Sequence, residues 1–319
     1  MRPRTNDKRC AFFLLSFAFF LAFLGCNRGE PAGGAKPRVA LVLKTLNNPF
    51  FIDMQRGAEE AAKRLDVDLV VQAAERETDV EKQMQIIENL IQARVGALAI
   101  TPSGSREVVP AIGKANEAGI PVVIVDTRLD GKAAADAAVR TVSFVGSDNY
   151  RGGQLIGEHL VKASGGKARA AILEGIPGHD TGDQRVRGFR EAVKAAPGVE
   201  IVASQTANWE RDQGFTVFQN MLQANPGIDT VFACNDMMAL GAIEAIAAAG
   251  KTGRIRVLGF DAVDDARKAI AAGTMAATVA QFPGEMGRVA VEAAVKAMKG
   301  EAVSAETSVR IGLVTKETL

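Results

Sequence analysis

The residues with chemistry to offer gather directly after short apolar runs. Lys44, Asn48, Phe50 and Phe51 stand in "LKTLNNPFF", and Asp126, Thr127 and Arg128 follow "PVVIV". Further along come Asp180, Asp183 and Arg185 in "GHDTGDQR", Trp209 in "ANWERD", and Asn235 and Asp236 in "ACNDMM". Phe260 and Asp261 in "GFDA" and Gln281 in "AQFPGE" complete the set. It combines aromatic plates with carboxylates, amides and cations. Sugars ask for this mixture: their C–H faces pack on rings, and each hydroxyl both donates and accepts, which suits planar Asp, Asn, Gln and Arg groups. Phe50 and Phe51 are conspicuous because they flank an Asn-Asn-Pro turn in a chain with one Trp and one Tyr.

Single members have plainer roles open to them. Asp236 is expected to cap the helix that begins at Met237, which leaves Asn235 for a ligand. Phe51 has the alternative of a hydrophobic staple within its own lobe, and Trp209 that of a rim residue. Cys234 ends an apolar strand and reads as a small buried hydrophobe. His159 and His179 lie too far apart for a metal or triad spacing, so no metal, no cofactor and no catalytic residue is expected. Asp126 and Asp261 as paired carboxylates of a glycosidase-like cleft are the enzymatic alternative. The net charge of +1 supplies no field for nucleic acid.

These side chains need a scaffold that presents strand ends. Ten strands are predicted at Val39–Leu43, Val67–Val71, Ala97–Thr101, Val122–Val125, Val142–Val145, Ala170–Leu173, Ile201–Ser204, Thr230–Ala233, Val257–Gly259 and Ala277–Ala280. Helical patterns begin near Ile52, Val80, Arg106, Tyr150, Asp183, Arg211, Met237, Val263 and Pro283. Near-continuous apolar strands separated by helices imply parallel sheets covered on both faces. The chain also repeats. "RGAEEAAKRLDVDLVV" from Arg56 is similar to "RGFREAVKAAPGVEIV" from Arg187. At similar offsets, one apolar strand runs into Asp126 and another into Asp261. Two like α/β units are therefore expected, with the two Asp residues facing each other across a cleft at the carboxyl ends of the strands.

The N-terminus reads as an export signal. Arg2, Arg4, Lys8 and Arg9 precede an apolar run from Ala11 to Leu24, too short for a comfortable membrane span. Gly25-Cys26 then resembles a lipobox, with Cys26 as lipid attachment site and new N-terminus. Residues 1–25 are read as signal and 26–37 as a Gly/Pro tether. Cys234 is then the one thiol left, so no intramolecular disulfide is expected.

"TLNNPFF", "FACNDMMALGA", "VLGFD" and "ATVAQFP" resemble the ribose-type periplasmic binding proteins, the sugar receptors of ABC importers, over about Arg38 to Lys316. The resemblance implies two Rossmann-like lobes, 38–147 plus 282–310 and 148–281 plus 311–319. It places hinge crossings near Ser147, Gln281-Phe282 and Arg310-Ile311. It implies ligand contacts at Asn48, Phe50, Phe51, Asp126, Asn235, Phe260, Asp261 and Gln281, with Trp209 where the family often has Phe. One monosaccharide or polyol, an ABC permease with its ATPase, and a chemoreceptor or sensor kinase are the implied partners. A monomer is expected, held to a membrane by the lipid that the lipobox at Cys26 calls for, in the periplasm or at the cell surface. Sensing without transport is the alternative. Ribose receptors carry Ser at the place of Lys44 and Arg at those of Thr127 and Asp183. Arg128 and Arg185 stand close by as substitutes. Lys44 and Asp183 are expected to pair across the cleft or to address ligand hydroxyls, favouring a ketose or polyol over ribose.

Overall fold

The computed structural model describes residues 36–319. The expected signal, Cys26 and all but the last two residues of the tether lie outside the described residues. The first lobe begins with β1 (Arg38–Thr45), α1 (Pro49–Leu65), β2 (Asp68–Ala74), α2 (Val80–Gln92) and β3 (Ala97–Ile100). It continues through α3 (Val109–Glu117), β4 (Val122–Val125), the short α4 (Gly131–Asp136) and β5 (Ser143–Ser147). The second lobe repeats the plan with α5 (Asn149–Ala163), β6 (Lys167–Glu174), α6 (Asp180–Lys194), β7 (Gly198–Thr206), α7 (Arg211–Ala224) and β8 (Thr230–Ala233). It adds α8 (Asp236–Ala248), β9 (Arg256–Asp261), α9 (Asp264–Ala272) and β10 (Ala277–Ala280). The chain then returns to the first lobe for α10 (Pro283–Met298) and β11 (Glu306–Val309), and reaches the second again as β12 (Gly312–Thr315).

The strand orders are β11-β5-β4-β3-β1-β2 and β12-β10-β9-β8-β6-β7. Neighbours run parallel throughout, except that β12 lies antiparallel to β10. This is the expected α/β class of two Rossmann-like lobes. The chain passes between sheets at Asp148, at Gln281-Phe282 and at Arg310-Ile311.

Burial explains the apolar runs. Every residue of β3, β4 and β8 is buried, because helices cover both faces and no polar alternation is required. Glycines bring the helices close enough to seal those faces. A Cβ on Gly57 of α1 would lie 1.9 Å from the Gly284 carbonyl oxygen of α10. In the second lobe a Cβ on Gly153 of α5 would lie 2.2 Å from the Arg185 carbonyl oxygen of α6. The second contact fixes the height of Arg185 on its helix.

Twelve strands are present among the described residues, not ten. β11 is short and buries only one residue fully, so it has no apolar run to announce it, and β12 is a short edge strand. α4 buries nothing and shows no apolar stripe. The second strand extends to Ala74, beyond the expected Val71, and so aims the following segment at the cleft.

Candidate functional site

The turn after β1 is built by Asn48. Its Oδ1 accepts from the Phe50 N–H at 3.0 Å as the N-cap of α1, and Pro49 fills the first helical position. That cap sets Phe50 and Phe51 in the first turn, with rings edge to face at 5.2 Å. Both are buried, and the Lys44 ammonium lies 5.7 Å from the Phe51 ring centre.

Lys44 itself is 2% exposed. A buried ammonium needs compensating charge. Asp126 Oδ2 lies 3.4 Å from its Nζ and Glu77 Oε2 lies 3.8 Å away. Glu77 also accepts from Asn48 Nδ2 at 3.1 Å. Burial pushes the Glu77 carboxyl up to about 7, against the pull of Lys44. Asp126 sits at φ 63, in the left-handed region, directly after β4. Thr127 donates its hydroxyl to Asp126 Oδ2 at 3.0 Å.

The second lobe answers with Arg185. Its Nε donates to Asn149 Oδ1 at 2.8 Å and its Nη1 to the Cys234 carbonyl at 2.7 Å. The same Nη1 lies 3.7 Å from Asp261 Oδ1. The guanidinium lies 3.8 Å from the centre of the Phe260 ring and 5.5 Å from that of Trp209. Asp261 has φ 118, so the Asp closing each repeat occupies strained backbone. Burial pushes the carboxyls of Asp261 and Asp236 upward.

Asn235, not Asp236, caps α8: its Oδ1 accepts from the Met238 N–H at 2.9 Å. Its Nδ2 donates to the Trp209 carbonyl at 3.0 Å. Asp236 is fully buried and accepts from the Thr278 hydroxyl at 2.7 Å and the Val263 N–H at 3.0 Å. It therefore braces the loop that carries Asp261. Trp209 stands at φ 69 and fits because Gly175 has no side chain: a Cβ there would lie 1.9 Å from Trp209 Cζ2. Gln281, on a crossing between lobes, donates from Nε2 to Asp261 Oδ1 at 2.8 Å. Its Oε1 is buried and has no hydrogen-bond partner.

These side chains line one narrow cavity between the lobes. Lys44, Asn48, Phe50, Phe51, Glu77 and Asp126 line it from the first lobe, and Thr181, Arg185, Trp209, Asn235 and Asp261 from the second. Gln281 lines it from the crossing. Of the residues singled out in the sequence, ten meet here. Thr127 and Phe260 are fully buried and back the lining, one bonded to Asp126 and the other under Arg185.

Two lie elsewhere. Arg128 packs its guanidinium 3.7 Å from the Phe144 ring centre and pairs with Glu306 at 2.5 Å on an exposed surface. Asp183 lines a separate groove with Glu174, Arg187 and Arg190, so it neither meets Lys44 nor addresses the cavity. The reason is helical phase. α6 starts at Asp180, so Thr181 and Arg185, four apart, share a face, and Asp183 points half a turn away. That spacing was visible in "HDTGDQR". Glu77 escaped sequence analysis because "AERETD" has no apolar run, and the extended β2 is what delivers it. Among the described residues no cluster of His, Cys, Asp or Glu is placed to hold a metal, and no helix is long and apolar enough to cross a membrane.

Residues 39–302 match the family model described as a periplasmic binding protein domain. The chain is 40% identical over 283 residues to the ribose import binding protein of Escherichia coli K12, covering 89% of this chain and 92% of that protein. It is 38% identical to the D-ribose/D-allose-binding protein of Pseudomonas aeruginosa, covering 83% of each. Among solved structures, a periplasmic solute-binding protein of an ABC transporter from Actinobacillus succinogenes, with bound D-allose, superposes with a TM-score of 0.84. That protein is 43% identical, with 89% of this chain and 99% of the other covered. The family match spans both lobes and the cavity between them, and the chain belongs to the periplasmic binding protein family, as a ribose-type sugar-binding member.

Proposed function

We propose that this protein is the extracytoplasmic receptor of an ABC sugar importer and binds one aldose of the ribose–allose class in the interlobe cavity. The observation that carries the reading is Gln281 Oε1, a buried acceptor without a donor, set among two aromatic walls and two cation–carboxylate pairs. A ligand hydroxyl supplies the missing proton. Relatives with 38% to 43% identity are described by ribose or D-allose, which supports an aldose over the ketose or polyol expected from the sequence. The case against ribose also weakens, since Asp183 stands outside the cavity. Lys44 and Arg185 then each donate to sugar hydroxyls, while Asp126, Asp261 and Glu77 accept from them.

Closure follows from the same geometry. A sugar held by both lobes gains contacts in the closed state that the open state lacks, so it shifts the population toward closure. Asp148, Gln281-Phe282 and Arg310-Ile311 are the hinges of this motion. The receptor delivers its sugar to a permease and ATPase, and lipid on Cys26 holds it at the membrane. Titration calorimetry with D-allose, D-ribose, D-fructose and xylitol tests the reading. D-allose or D-ribose should bind at least about tenfold more tightly than the others, a gap of about 1.4 kcal/mol. Binding of none of them, or turnover of a sugar into product, overturns it.

A further inference from the structure

The lips of the cleft are joined through a histidine that plays no part in lining the cavity. His179, just before α6 in the second lobe, is 2% exposed, and its Nε2 lies 2.8 Å from the carbonyl oxygen of Ser103 in the first lobe. A carbonyl only accepts, so Nε2 carries the proton and donates. The other ring nitrogen, Nδ1, lies 3.4 Å from Trp209 Nε1. An indole N–H only donates, so Nδ1 is the unprotonated acceptor. The two contacts select one neutral tautomer. Beside them the Asp180 N–H donates to Ser105 Oγ at 3.3 Å, a second bond between the lobes.

Resting on the sugar-receptor reading, we infer that His179 is the latch of the closed cleft and the residue that positions Trp209, so that sugar is held tightly only while this imidazole is neutral. A second proton would sit on Nδ1 and confront the indole N–H, donor against donor. It would also place a cation inside a dry contact near Lys44. Burial, then the charge of Lys44, lowers the imidazole from its ordinary 6.5 to about 3, while the Ser103 carbonyl opposes the shift. The surroundings offer no rescue. The loop after β3 brings the Ser103 carbonyl, the end of β1 brings Lys44, and the loop after β7 brings the indole. On its own helix, the Asp180 carboxylate accepts from Gln184 at 3.2 Å, and Asp183 lines the outer groove.

When the lobes part, Ser103 withdraws and the ring meets water, where an ordinary imidazole value returns. The group is therefore depressed in the closed state relative to the open one. Its contribution to closure is complete above about 6.5 and is lost as pH falls toward about 3. From pH 7.5 to pH 5.0 this one group should weaken sugar binding about thirtyfold. Glu77 and Asp261 also titrate in the cavity, with values raised by burial. They are present in every variant of His179, so the comparison between variants isolates the latch.

The test uses the mature chain, with D-allose and D-ribose as probes in calorimetry at pH 7.5 and 5.0. His179→Gln keeps a donor and an acceptor but does not titrate. It should bind within about threefold of wild type at pH 7.5 and lose most of the thirtyfold fall at pH 5.0. His179→Ala should bind more weakly at both values and red-shift the fluorescence of the single Trp. The chain has two histidines, so their imidazole resonances are simple to assign. In the free protein His179 should titrate near its ordinary value, and with saturating sugar it should stay neutral at pH 5.0. An equal fall in wild type and His179→Gln overturns the latch, and so does a sugar-bound imidazole that titrates as in the free protein. If neither sugar binds at pH 7.5, the ribose–allose reading fails. The latch is then read without sugar, in a Ser105→Cys, Asp180→Cys protein oxidised to hold the lips together. A neutral His179 at pH 5.0 in that locked form supports it, and protonation there overturns it.

Discussion

The ammonium of Lys44 lies 3.4 Å from the carboxylate of Asp126, and each belongs to a strand end of the first lobe. The second lobe holds a like cation–carboxylate pair, Arg185 of α6 and Asp261 at the end of β9, 3.7 Å apart. Neither separation is a direct hydrogen bond at ideal length, so each charge keeps capacity for a third party. A sugar hydroxyl placed between cation and carboxylate accepts from one and donates to the other.

Removing either carboxylate should unbalance that exchange. Asp126→Ala and Asp261→Ala should each weaken sugar binding by about 1–3 kcal/mol, because a ligand hydroxyl and a buried cation lose their partner. Calorimetry on both variants checks this. Unchanged affinity in both would remove the cavity from consideration as the binding site.

Glu77 makes stability depend on pH. Its carboxyl is raised from 4.5 to about 7 in the fold. A raised carboxyl stabilises the fold fully below its unfolded value, and that contribution is lost as pH rises through the folded value. In the closed state Glu77 should therefore cost the protein thermal stability as pH rises from about 4.5 to about 7. Glu77→Gln, which cannot ionise, should show a smaller loss over the same interval. Scanning calorimetry at the two pH values decides it.

Helical phase on α6 separates two neighbours. Arg185→Met should weaken sugar binding by about 2 kcal/mol or more, since charged hydrogen bonds in a dry site are among the strong ones. Asp183→Asn should leave affinity within about twofold, as expected of a polar substitution away from the buried site. A larger effect of Asp183→Asn than of Arg185→Met in calorimetry would reverse the assignment of faces.

Gly175 makes room for the indole of Trp209. Gly175→Ala should push the ring out of its slot, lower sugar affinity and leave the fold intact. Fluorescence of the single Trp should shift to the red while the far-ultraviolet circular dichroism stays that of wild type.

Cys26 lies outside the described residues, and its role is tested in cells. Cys26→Ser should abolish incorporation of labelled palmitate. Continued labelling of that variant would remove the lipid anchor from the proposal.

The class of the fold was legible along the chain because its signals are local. Apolar runs such as Val122–Val125 and Thr230–Ala233 need no distant partner to be recognised, and their bounds in the structure are those expected. The repeat likewise marked Asp126 and Asp261 as corresponding positions, and both line the cavity. Strand ends present loops at one edge of a parallel sheet, so listing the residues after each strand already gathered most of the lining. Edge strands such as β11 gave no such signal, having little apolar content.

Tertiary structure decided what local pattern does not encode. It chose the face of α6, sending Arg185 inward and Asp183 outward, through the contact of Gly153 with the Arg185 backbone. It gave the cap of α8 to Asn235 and turned Asp236 into a buried brace, because Thr278 and Val263 arrive from other elements. It brought Glu77 to Lys44 and the ring of His179 to the carbonyl of Ser103. These partners are far apart in sequence or on separate sheets. Their pairing depends on how helices and sheets pack, and burial then makes each unmet hydrogen bond too costly to leave open.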